Sequence, residues 1–115
     1  MDLPHRALHC HSFHRHVAVI VEFAHRDPVN QGHSAFERLG YGIAKQIAST
    51  NPRSTQELLR QVLLDYEPPE ITVEDAVREV ARLLGDRIIV TRFISWSTEP
   101  RPELTPAVAV RRKRP

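Results

Sequence analysis

Two amphipathic stretches separated by an acidic, proline-containing turn dominate the hydrophobic pattern of the chain. They read STQELLRQVLLDY (54–66), EPPEI (67–71) and TVEDAVREVARLL (72–84), followed by Gly85, Asp86 and the apolar run RIIVTRFISW (87–96). In the first stretch Leu58, Leu59, Val62 and Leu63 recur at helical spacing. In the second, Val73, Ala76, Val77, Val80, Ala81 and Leu84 do the same, so each predicts a helix with one apolar face. Ser54 with Glu57 and Thr72 with Asp75 stand at capping-box or near-capping-box spacing, where a hydroxyl takes an orphan N–H and the acid favours the helix dipole. Gly85 marks the stop of the second helix, and 87–96 reads as a strand. Ile88, Val90, Ile94 and Trp96 are expected on one face of it, interrupted by Arg92, with Ile89 and Phe93 on the other.

The other elements follow from the same periodicities. Val17–Ala24 alternates with apolar residues on both faces and only Glu22 polar, which predicts a strand inside a sheet. Residues 25–33 contain Asp-Pro and Gln-Gly breakers and read as a loop. Ser34 with Glu37 is a third capping-box match, and Leu39, Ile43 and Ile47 extend a helical stripe to about Ser49. Gly40 and Gly42 each cost that helix roughly 1 kcal/mol, and a strand at 34–39 before a shorter helix is the alternative. Asn51-Pro52 ends the segment in either case. Residues 1–16 are polar and histidine-rich, a leader or an edge strand around Leu8–Phe13. Beyond the proline-broken loop at 99–102, Ala107–Arg111 offers a last strand that would form a hairpin with 87–96.

Composition narrows the class. A 115-residue chain with 41% hydrophobic residues suits one domain with one core. The expected layout is a polar segment at 1–16, a single α+β domain at 17–111 and a basic tail at 112–115. Cys10 is the only cysteine, which excludes an intrachain disulfide. The longest apolar run, Val17–Val21, is far short of a membrane span, so a soluble, cytoplasmic protein without membrane contact is expected. The net charge of +2 is small but unevenly placed: all seven histidines lie within residues 5–33, and Arg111, Arg112, Lys113 and Arg114 cluster near the end.

Three helices followed by a strand pair is the order of a winged helix, with a small antiparallel sheet built from 17–24, 87–96 and 107–111. The segments Leu39–Ala44, Ser54–Leu58, Leu64-Asp65-Tyr66, Glu74–Val77 through Leu84, and Ile88–Val90 together resemble the RiPP recognition elements. These are peptide-binding winged-helix modules of peptide natural-product biosynthesis, related to the pyrroloquinoline-quinone peptide chaperone. The resemblance implies a three-stranded sheet ahead of the helices, whose third strand receives the peptide.

Candidate chemistry is sparse. His9 and His11, and His14 and His16, project pairwise to one side of an extended chain and, with Cys10, are the candidate ligands for zinc, nickel or copper. Their spacing matches no established finger, so no cofactor is expected. A Cys10–His dyad or a His–Asp27 pair lacks any supporting nucleophile elbow, phosphate loop or paired acid, so a non-enzymatic role is expected. Arg111–Arg114 would contact nucleic acid, with helix 72–84 as reader, but Glu74, Asp75 and Glu79 on that helix repel phosphate. The favoured reading is an adaptor that recognises a peptide or protein. Arg78 and Arg82, one turn apart, would meet acidic residues, and Phe93 and Trp96, with Tyr41 and Tyr66, would serve as aromatic anchors. A second copy of the chain is a further candidate partner.

Overall fold

The computed structural model describes residues 3–13, 16–64 and 70–98. Two strands, β1 (His5–Phe13) and β2 (Val17–His25), form an antiparallel hairpin ahead of all the helices. A short 3-10 turn (Pro28–Gly32) leads into α1 (Ser34–Thr50), α2 (Thr55–Arg60) and α3 (Val73–Leu84), and β3 (Ile88–Ser97) closes the sequence of elements. β3 pairs antiparallel with β2, giving the order β1-β2-β3 with β2 in the middle.

The chain is therefore α+β, as the pattern predicts, but among the described residues the third strand of its antiparallel sheet is β1 rather than 107–111, and the winged-helix arrangement is overturned. Two of the three strands precede the helices, so the unit is not a three-helix bundle with a trailing wing. β1 is the edge-strand alternative for Leu8–Phe13, extended back to His5; its inward positions carry His5, His9 and His11 beside Ala7 and Phe13, and those histidines blur the period-2 alternation. The expected hairpin of 87–96 with 107–111 lies outside the described residues.

The core lies between one face of the sheet and the helices. Val19, Val21 and Phe23 of β2 meet Phe36, Ile43 and Ile47 of α1, Leu58 of α2, and Val73 and Val77 of α3, all buried. α1 is one continuous helix through both glycines. At Gly40 the reason is steric: a Cβ there would lie 2.1 Å from Nδ1 of His9, so the helix can approach β1 only with glycine at this position. Its cap differs from the expected one, because Nδ1 of His33, rather than the Ser34 hydroxyl, accepts from the Ala35 N–H at 3.0 Å. Asn51 in the left-handed region ends the helix before Pro52.

The caps of the other helices follow the sequence. Ser54 Oγ accepts from the Glu57 N–H at 3.0 Å, and Thr72 Oγ1 from the Asp75 N–H at 3.1 Å. Gly85, at φ 63°, terminates α3. α2, however, stops at Arg60 instead of continuing to Tyr66. The cause is a buried side chain on α1. Gln46 Nε2 donates to Gln61 Oε1 (2.9 Å) and to the Val62 carbonyl (3.1 Å), while its Oε1 accepts from the Leu64 N–H (2.9 Å). These bonds hold 62–64 out of the helix, and Val62 forms an isolated antiparallel bridge with Thr72. Val62, expected in the core, is consequently exposed.

A bulge re-aims β3. Glu22 pairs with Arg92 and Phe23 with Val90, leaving Thr91 extra. Thr91 Oγ1 donates to the Glu22 carbonyl (3.1 Å) and carboxylate (2.6 Å), pinning the irregularity. The faces expected from strict alternation are exchanged beyond this point. Ile88, Val90 and Phe93 face the core, while Ile89, Arg92, Ile94 and Trp96 face outward.

Candidate functional site

Two grooves flank α3. The larger, about 850 Å³, runs between α1 and α3 and is mostly apolar, with Leu39, Ile43, Val80 and Leu83 among its walls and Glu37, Arg38 and Glu79 on its rim. The smaller, about 530 Å³, runs between α3 and β3. It is walled by Glu74, Val77, Arg78, Ala81 and Arg82 on one side and Ile88–Val90 on the other, with Leu59 of α2 alongside. Ile88 and Val90 point inward while Ile89 points outward, so a groove touched by all three follows the side of β3 that faces away from β2. Among the described residues no strand pairs with that side of β3. The larger groove offers no such edge; of the predicted partner-binding residues it is lined by Tyr41 but not by Arg78, Arg82, Phe93 or Trp96.

Those residues divide. Arg78 and Arg82 line the strand-edge groove, as their one-turn spacing on α3 requires. Both are exposed and held in local pairs: Arg78 with Glu74 (3.3 Å) and Asp75 (3.4 Å), Arg82 with Glu79. Exposed pairs of this kind contribute only about 0–1 kcal/mol, so exchanging one carboxylate for another costs little. Phe93 and Trp96 do not act together: the bulge turns Phe93 toward the core and leaves Trp96 half-exposed on the outer sheet face. Tyr41 is half-exposed beside His11 and Phe13. Tyr66 and Arg111–Arg114 lie outside the described residues.

The histidines are distributed, not clustered. His9 is buried against Phe23, Phe36 and Gly40, and burial pushes its pKa down, favouring the neutral ring, against a smaller opposing effect of Glu37. His11 is half-buried against Tyr41, and His16 sits at the hairpin turn near Thr98. His14 lies outside the described residues. Cys10 points to the opposite sheet face from His9 and His11 and is exposed. Among the described residues no three His, Cys, Asp or Glu side chains converge as a metal site would require. The alternation of β1 turns Cys10 away from His9 and His11, and Asp27 caps the 3-10 turn by accepting from the Val29 N–H.

Sequence reasoning missed Asp86, which anchors the lower end of the groove. Its carboxylate accepts from the backbone N–H groups of Arg26 (2.9 Å), Asp27 (3.2 Å) and Arg87, and from Asn30 Nδ2 (2.9 Å). Burial alone would raise its pKa, but the bonds from Asn30, Arg26, Arg87 and Asp27 outweigh it and hold the pKa at about 2. His25, fully buried, lies 3.5 Å from the same carboxylate without a hydrogen bond. The usable signal was local: an acid directly after a left-handed glycine stop, opposite a loop rich in free N–H groups. Its chemistry is structural, fixing the start of β3 against the end of β2.

Compared with known proteins, the chain has no matching family model and no significant match among curated proteins. No helix among the described residues is long and apolar enough to cross a membrane.

Proposed function

We propose that this protein is a non-enzymatic binding module that takes an extended peptide with acidic residues along the open edge of β3, over the groove against α3. The observation that supports it is the coincidence of a strand edge that pairs with no other strand among the described residues and a groove carrying Arg78 and Arg82. A peptide added to such an edge gains backbone hydrogen bonds, and alternate side chains fall toward the groove or away from it. Val77, Ala81 and Val90 accept the apolar positions, and the two arginines accept carboxylates released from no more than surface pairs.

The test uses the full chain, a fluorescent twelve-residue peptide of alternating valine and glutamate, its valine–lysine counterpart, and a single-stranded DNA of similar length. The acidic peptide is expected to bind and to shift the amide resonances of 88–90 and α3. The double variant Arg78→Ala/Arg82→Ala should weaken it roughly three- to tenfold. Equal binding of both peptides, or shifts confined to another face, overturns the reading. Tight DNA binding that disappears when Arg111, Arg112, Lys113 and Arg114 become serine replaces it with nucleic-acid recognition.

A further inference from the structure

Among the described residues no helix covers the outer face of the sheet. Across its three strands the outward positions align as rows: Ser12–Ala18–Trp96, then Cys10–Ile20–Ile94, then Leu8–Glu22–Arg92. Leu8 is 65%, Ile94 56% and Trp96 48% exposed, and Cys10 is exposed beside them. Among the described outward residues of the sheet the one acid is already satisfied from within the chain. Glu22 accepts from Thr91 and pairs with Arg92 at 3.1 Å, and these contacts, the Thr91 bond foremost, lower its pKa against the opposing effect of burial. An apolar, internally compensated, flat surface does not select an oppositely charged partner.

We propose that this face packs against the same face of a second copy of the chain, forming a two-fold dimer. Three strands about 4.8 Å apart and nine residues long present roughly 14 by 30 Å in projection. With side-chain relief that is on the order of 600 Å² per copy, so full overlap buries on the order of 1,200 Å², the lower end for a specific complex. The expected product is a reversible, micromolar dimer. The pattern is self-complementary. A two-fold axis over the Cys10–Ile20–Ile94 row, perpendicular to the strands, sets apolar row on apolar row. It brings each Arg92 toward Trp96 of the other copy, a favourable cation–aromatic arrangement, and leaves each Arg6 at the rim. The inference is independent of the peptide groove.

Sedimentation of the full chain from about 1 to about 200 µM should show a monomer–dimer equilibrium. Ile94→Glu, at an exposed position that folding tolerates, should abolish it, while Leu83→Glu, equally exposed but on α3, should not. In the wild type, Cys10 alkylation should slow as concentration rises through the dimerisation range. A wild type that stays monomeric, a dimer that survives Ile94→Glu, or Cys10 reactivity independent of concentration would each overturn the proposal.

Discussion

Asp86 and Gln46 are both buried polar side chains that hold separate pieces of chain together, yet they do so in different currencies. Asp86 is ionised and only accepts, drawing donors from the end of β2, the 3-10 turn and the start of β3. Gln46 is neutral and both donates and accepts, matching the mixed groups of 61–64. α1 runs between the two joints, starting beside the turn that carries Asn30 and ending one turn beyond Gln46. The charged joint is strong but tied to pH, and the neutral joint is weaker but indifferent to it.

The sharpest way to break this comparison is Asp86→Ala. It strands several donors in a closed site, and denaturant titration should show a loss of at least about 3 kcal/mol. A loss below about 1 kcal/mol would show that water replaces the carboxylate. Gln46→Ala should cost less, about 2 kcal/mol, because the backbone groups of 62–64 reach solvent more easily. Its distinguishing readout is hydrogen exchange, which should accelerate at Leu64 while β3 remains protected. The third difference is in acid. Asp86 has a depressed folded pKa, so its contribution is complete above the ordinary value of 3.8 and is lost as pH falls through about 2. That window carries about 2 kcal/mol. Subtracting the profile of Asp86→Asn from that of the wild type should reveal it, whereas the Gln46→Ala profile should run parallel to the wild type.

What was legible in the sequence was what a few neighbouring residues decide. The caps at Ser54 and Thr72, the stop at Gly85, the central strand at Val17 and the apolar face of α3 all follow from local chemistry. The truncation of α2 was not legible, because the residue that enforces it lies 15–18 positions away on another helix. The facing of β3 depended on Thr91 meeting Glu22, 69 positions earlier. The winged-helix order failed because β1, offered by the sequence only as an edge-strand alternative at Leu8–Phe13, joins β2 ahead of the helices, with buried His9 at a position that a pattern of apolar residues leaves blank. In the candidate site, the spacing of Arg78 and Arg82 survived because both lie on one helix. Phe93 and Trp96 lie on opposite faces, as expected, but the bulge exchanged which of the two meets the core.

The extra residue at Thr91 makes parity, rather than composition, the variable that decides what β3 shows to the outside. Side chains on a strand alternate like even and odd numbers, and a single insertion swaps the two classes from that point onward. Upstream, the outward class holds Ile89; downstream it holds Arg92, Ile94 and Trp96, with Phe93 assigned inward. A relative with one residue fewer here would carry the same letters yet offer a different surface. Two sequences aligned letter by letter across this strand would then look alike while differing in what they can touch.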